Sequence, residues 1–269
     1  MMGNMGRLAV QYKTSIMLAL SLLAWPAMAQ VPELAPLKLH ARYDVTWGGI
    51  KLGRINVDAE EDVLGYHLVV DTKTSGLAKL FSDEKTVGEV SGHRALSGEY
   101  VPSKYTSRRL REDGGMTELR YDATGKLAFR ERKPEDDPAW RPPVAPELAN
   151  TATDPLTAGL ILRRALRDNM AQEVRNTVIR SYDGARLGEF DCKVVSRARV
   201  EINDEYRDAI NTVVTRKPIA GYTPKELRKF EQGDPIIHLY FSADKELIPL
   251  KLTIATSYGE VAATLVSRE

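Results

Sequence analysis

The chain has 269 residues, with 38 Lys and Arg against 37 Asp and Glu, and a single cysteine. A net charge of +1 offers no basic excess to hold nucleic acid, and one thiol excludes an internal disulfide framework. The length admits one large domain or two small ones, either with a substantial core.

No acidic residue precedes Glu33. Arg7 and Lys13 make a positive start, Ile16 to Trp25 form a short apolar run, and Pro26 ends it before Ala27-Met28-Ala29. That order predicts a cleavable secretory signal over residues 1–29, cut between Ala29 and Gln30. About ten apolar residues rise only roughly 15 Å as a helix, half of a ~30 Å hydrocarbon core, so a membrane anchor is disfavoured. Gln30 in place of cysteine at the cut argues against lipid attachment. The mature chain, 30–269, is expected to be a single β-rich domain in the periplasm, near neutrality once Arg7 and Lys13 are removed. No second apolar run reaches membrane-spanning length.

Period-two patterning begins at Leu37. Leu37, Leu39, Ala41, Tyr43, Val45 and Trp47 share one face, and Lys38, His40, Arg42, Asp44 and Thr46 the other, as in a half-buried strand. Gly48-Gly49 ends it. Ile55, Val57 and Ala59 alternate with Arg54, Asn56, Asp58 and Glu60 in a second strand, and Glu60-Glu61-Asp62 reads as a polar hairpin end. A third strand runs over Tyr66 to Thr74. The short connections predict an antiparallel meander. Leu77, Leu80 and Phe81 then share helical spacing. Further strands are expected near Thr86–Ser91, Gly98–Arg111, Met116–Tyr121 and Leu127–Arg132.

Residues 133–153 change character. Five prolines and the acidic cluster Glu135-Asp136-Asp137 predict an exposed, proline-rich connector. A helix follows, with Asp154 as its cap and Pro155 in its first turn. Ala158, Ile161, Leu162, Ala165 and Leu166 form one apolar stripe, Leu156 and Leu160 add a second apolar side, and Arg163, Arg164, Arg167 and Asp168 are assigned to the wet face. The second half is again β-like over Val174–Tyr182, Ala185–Ile202, Tyr206–Lys217, Ile236–Ser242, Ile248–Tyr258 and Val261–Val266. Pro218 to Pro235 reads as a polar interruption. Roughly a dozen strands and one central helix predict a mainly β fold: a large curved antiparallel sheet, or an incomplete β-barrel, wrapping that helix.

No nucleophile elbow, zinc-protease helix or phosphate-cradling glycine loop is found, so no catalytic residue, cofactor or metal is assigned. The four histidines, His40, His67, His93 and His238, are dispersed along the chain. Glu135-Asp136-Asp137 lacks the ligand spacing and glycine turn of a calcium loop. Cys192 reads as a small buried hydrophobe. What stands out is apolar: Trp47, Leu77, Leu80, Phe81 and the Ile161 side of the helix are candidate walls of a greasy groove between sheet and helix.

Several stretches resemble the exported bacterial family of domain of unknown function 3108 (DUF3108). They are Tyr43-Asp-Val-Thr-Trp-Gly-Gly-Ile-Lys-Leu-Gly53, Thr72-Lys-Thr-Ser-Gly76, Asp154-Pro-Leu-Thr, and Leu239-Tyr-Phe-Ser-Ala-Asp-Lys-Glu-Leu-Ile-Pro249. The resemblance implies an envelope location and a β-rich fold similar to curved-sheet carriers of lipids or lipoproteins, and it supplies no catalytic residues. The leading expectation is a non-enzymatic binding or carrier protein for a lipid, acylated or polysaccharide envelope component. A protein-interaction module and a glycan-acting enzyme are the alternatives.

Overall fold

Alternating strands can bury their apolar rows only against a common interior, and here they do so in one sheet. The computed structural model describes residues 36–75, 85–110, 114–170, 176–233, 235–256 and 259–269. The first meander is β1 (Leu37–Trp47), β2 (Ile50–Glu61), β3 (Gly65–Thr74), β4 (Lys85–Arg94), β5 (Tyr100–Arg109), β6 (Met116–Tyr121) and β7 (Leu127–Lys133). The second is β8 (Asn176–Tyr182), β9 (Leu187–Ile202), β10 (Glu205–Ala220), β11 (Ile237–Ser242), β12 (Pro249–Thr256) and β13 (Gly259–Arg268). Together they make a 13-stranded antiparallel sheet in the order β7-β6-β5-β4-β3-β2-β1-β13-β12-β11-β10-β9-β8. The first and last strands pair at its centre, with Tyr43 opposite Leu265, and β7 and β8 are its two edges.

The predicted alternation is realised on β1, where Leu37, Leu39, Ala41 and Tyr43 are buried and Lys38, His40 and Arg42 exposed. Gly48 and Gly49 close the β1–β2 hairpin with φ of 54° and 82°, values that L side chains seldom adopt. The helices are α1 (Pro146–Ala149), α2 (Pro155–Met170) and α3 (Pro224–Glu231). Helix α3 lies within the stretch read as a polar interruption. Thr223 caps it in a reciprocal capping box with Glu226, and Pro224 occupies its first turn. Among the described residues no helix is long and apolar enough to cross a membrane.

Asp154 caps α2: one carboxylate oxygen accepts the backbone N–H of Leu156 at 3.0 Å and of Thr157 at 2.9 Å. The two apolar sides of the helix enter two core clusters. Leu160 joins the larger cluster, whose residues come from both meanders, such as Leu39 and Leu119 of the first and Leu187 and Leu265 of the second, and Leu162 and Leu166 join Ile179, Cys192, Ile210, Val214 and Phe241. Burial pushes the Cys192 thiol up to about 12, with Asp191 adding to the effect, so the group is a packed hydrophobe.

The two sheet edges approach each other without pairing. Arg130 on β7 donates through Nε to the Gly184 carbonyl, 2.6 Å away, in the turn after β8. A Cβ on Gly184 would stand 2.3 Å from Thr117 on β6, so the close approach requires glycine. The connector 133–153 spans this gap. Its surface is mostly exposed, as expected, yet it is pinned at three points. Buried Arg141 donates to the Gly221 carbonyl at 2.6 Å and to Glu226 at 3.0 Å; Asn150 accepts the N–H of Leu127; and Thr153 pairs with Arg180 and Tyr182 beside β8. The acidic cluster is likewise engaged, Glu135 with Arg130 and Asp136 with Arg132.

Burial favours the neutral form of Glu226, but hydrogen bonds from Arg141 and from the backbone and hydroxyl of Thr223 outweigh it and hold the pKa at about 2, against an ordinary 4.5. A depressed carboxylate contributes stability above its unfolded pKa and loses it as pH falls through the folded one. Glu226→Gln is therefore expected to lower the melting temperature at neutral pH, with the gap to the parent closing between about pH 5 and about pH 2. Calorimetry across that range checks this; a pH-independent gap would mean that the carboxylate charge does not anchor the connector.

Candidate functional site

The middle of the sheet, where β1 meets β13, does not pack flush against α2. Between them lies a pocket of about 320 Å³. Its sheet wall is Leu37, Leu39 and Tyr43 from β1, Ile55, Val57 and Ala59 from β2, Leu68 from β3, Leu239 and Phe241 from β11, and Leu252 and Ala263 beyond. These are inward residues of their strands, brought level by the register: Leu239 stands opposite Leu252, and Leu252 opposite Ala263. The helix wall is Pro155, Leu156, Gly159, Leu160 and Leu162. Gly159 is the gap in that wall, since a Cβ there would meet nothing within 4 Å.

Three polar side chains line the pocket, Tyr43, Arg163 and Lys251, and the first two are spent on the protein itself. The Tyr43 hydroxyl donates to the Pro249 carbonyl at 2.9 Å, and burial raises its pKa. Arg163 lines the pocket and is buried, not solvated as the helical pattern suggested. Its Nε donates to the Glu246 carbonyl at 2.8 Å and its NH1 to Glu61 at 2.9 Å. Glu61 also accepts from the Tyr100 hydroxyl at 2.6 Å, with Arg94 3.9 Å away. The Glu61 side chain is 1% exposed, so the acidic hairpin end read from sequence is a buried anchor. Burial pulls the Arg163 pKa down, and the Glu61 charge opposes that pull. At the other end of the pocket, Thr157 bonds the Tyr66 hydroxyl at 2.9 Å, tying the start of α2 to β3.

The candidate groove residues divide. Leu77, Leu80 and Phe81, like Ala29 and Gln30, lie outside the described residues. Trp47 has the inward parity of β1 but sits at the hairpin end, 37% exposed and away from the pocket lining. Ile161 is two residues beyond Gly159, about 200° around the helix. It therefore faces a separate polar concavity with Arg164 and Asp168. The structure does not bring Trp47 and Ile161 together, and the pocket is walled instead by Leu37, Leu39, Leu68, Leu160 and their neighbours.

Among the described residues no group of three or more His, Cys, Asp or Glu is placed to hold a metal. His40 pairs with Asp58, and His67 with Glu89, on exposed strand faces.

Residues 42–266 match the family described as "Protein of unknown function (DUF3108)". A comparison with the curated proteins finds no match. Among solved structures, the chain is similar to a "Beta-barrel-like Protein of Domain of Unknown Function DUF1849 from Brucella abortus", with a TM-score of 0.53 and 12% identity over 88% of this chain and 98% of that one. At that identity the likeness is one of fold.

Removing one partner of a buried ion pair strands a charge and costs about 3–5 kcal/mol. Glu61→Leu and Arg163→Met are each expected to destabilise by that order, and the double variant by less than their sum, because it leaves neither charge behind. Urea unfolding measures all three; additive losses would show that the pair is not coupled.

Proposed function

Since the chain belongs to the DUF3108 family, whose function is unknown, we propose that it is an exported, periplasmic binding or carrier protein that holds one apolar chain of an envelope component in the pocket between α2 and the sheet. The observation that carries this reading is the pocket itself. Ligand pockets are concave, mostly apolar, and about 300–1,000 Å³ in volume. At about 320 Å³ this one lies at the lower end of that range, which suits a single acyl chain and not a multi-chain lipid. In this reading the curved sheet wraps α2, and the helix serves as the inner wall against which the chain lies.

Non-enzymatic binding fits an apolar lining in which Tyr43 is committed to Pro249 and Arg163 to Glu61. Export rests on the sequence order of residues 1–29. Protein recovered from a periplasmic fraction is expected to begin at Gln30 on amino-terminal sequencing; a start at Met1, Met2 or Met5 would overturn cleavage.

Gly159 allows the pocket to be tested without damage to the fold. Gly159→Ala adds a methyl group where nothing stands within 4 Å and removes helix glycine, so stability is expected to rise by up to ~1 kcal/mol. Gly159→Phe places an aromatic ring in the pocket and is expected to abolish uptake of the neutral probe N-phenyl-1-naphthylamine while leaving the protein folded. Uptake that is unchanged in Gly159→Phe, or absent from the parent, would sink the pocket as a binding site.

A further inference from the structure

The sheet has an outer face, and toward one end its charge is lopsided. On β1, Leu39, Ala41 and Tyr43 point into the core, so Arg42 and Asp44 stand outside. The register carries that outer face across the neighbouring strands. One row runs Asp44, Arg54, Lys73, Lys85 along β1 to β4, and the next runs Arg42, Asn56, Asp71, Val87, Arg108 along β1 to β5. Arg54 faces Lys73 directly, and Lys73 faces Lys85. Like charges directly opposite one another destabilise a sheet, so this row is a departure from what folding alone favours.

The carboxylates in these rows do not restore the balance. Asp44 pairs with Lys51 and Arg54, and Asp71 with Lys85 at 3.1 Å. Arg42, Lys73 and Arg108 are exposed and have no ion pair among the described residues. In sequence, residues 76–84 and 111–113 each hold one more acidic than basic residue, which leaves the sum at this end positive. The hairpin that closes the same end is apolar. Its tip is Trp47, Gly48, Gly49 and Ile50, with Ile50 49% exposed. Leu110, 51% exposed, follows β5 and donates its N–H to the Lys85 carbonyl at 2.7 Å. Gly53 is the last β2 residue in register with β3, so Ile50 stands three residues, roughly 10 Å, beyond that pairing.

We propose that this end of the sheet docks on an anionic membrane surface, with Trp47, Ile50 and Leu110 at the boundary between headgroups and acyl chains and Arg42, Lys73 and Arg108 facing the phosphates. The reach of the tip matches the ~5–10 Å to which apolar surface buries at a bilayer interface. A tryptophan ring, apolar with one polar N–H, suits that boundary. Arginine and lysine lay their stems along apolar surface and keep their charged ends among the headgroups. Charge complementarity alone would also admit a soluble polyanion, but that partner leaves Trp47, Ile50 and Leu110 in water. The apolar tip beside the cations therefore favours a membrane.

Vesicle binding tests this on the chain from Gln30 onward, since the run Ile16 to Trp25 would bind lipid by itself. Vesicles of phosphatidylcholine mixed with phosphatidylglycerol are expected to bind on the order of a hundredfold tighter than phosphatidylcholine alone, a preference that added salt erases. Lys73→Gln/Arg108→Gln is expected to lose roughly thirtyfold in affinity for the mixed vesicles. Its uptake of N-phenyl-1-naphthylamine should stay unchanged, so this surface and the pocket stand or fall separately. Ile50→Ser should weaken binding to both kinds of vesicle. In Trp140→Phe, Trp47 is the one tryptophan left from Gln30 onward, and lipid brominated along its acyl chains is expected to quench it. No binding, equal binding to the two kinds of vesicle, or an unquenched Trp47 in bound protein would overturn the docking surface. Binding of dextran sulfate without binding of vesicles would overturn it too, and assign the cations to a polyanion. The salt series and the quenching decide the matter even if the double variant does not fold.

Discussion

The buried pair between Glu61 and Arg163 is the contact on which the interior is arranged. It joins residues 102 positions apart, with both side chains at most 5% exposed. Two charges withdrawn from water repay their desolvation only when geometry and further hydrogen bonds satisfy them. Here Tyr100 and Arg94 supply the carboxylate side, and the Glu246 carbonyl the guanidinium side. Such a contact has little tolerance for rotation of the helix. With Arg163 fixed and Asp154 capping, α2 can present only Leu160 to one cluster, Leu162 and Leu166 to the other, and Gly159 to the pocket.

The sheet poses a second problem, its edges. An unpaired edge strand invites pairing with another chain unless something covers it or bends it away. Between β7 and β8 the protein uses side chains and a strap in place of a ladder. Arg130 reaches the Gly184 carbonyl, and the proline-rich connector is stitched across through Arg141, Asn150 and Thr153. Proline suits that strap, because its missing N–H leaves no donor to be satisfied where no partner strand runs. The same strap reaches α3 through Glu226, so the connector that bridges the edges also braces that helix.

Most of this architecture was legible in alternation alone, and the two misread residues show where pattern reading stops. Ile55, Val57 and Ala59 mark the inward face of β2, and one further step of that alternation lands on Glu61. The parity was correct; its chemical type made it look like surface, because a buried carboxylate needs a partner that sequence does not display. Arg163 fails in the complementary way, lying between Leu160, Leu162 and Leu166 on a helix apolar on two sides. Either residue alone implies a wet position, and only the fold reveals that they neutralise each other. Helix α3 carries a signal of its own: Thr223-Pro224 followed by Glu226 is a capping box with proline in the first turn, on a helix whose residues are mostly solvated and so lack an apolar stripe. Trp47 and Ile161 were drawn into the groove by correct parity and a correct stripe; what the sequence lacked was the extent of the pocket along β1 and the rotation that Arg163 imposes.

Energetics favour reading the pocket as a site over reading it as imperfect packing. The pocket is open to solvent, so its apolar walls stay wetted, and each methylene left exposed forgoes about 0.8 kcal/mol of burial. The fold could reduce that cost with one larger side chain on α2. Instead it places glycine at 159, where helix propensity alone loses about 1 kcal/mol relative to alanine and where the added methyl would touch nothing. A local choice that weakens the helix at the wall of an apolar pocket is the kind of departure expected where a structure keeps room for something other than itself.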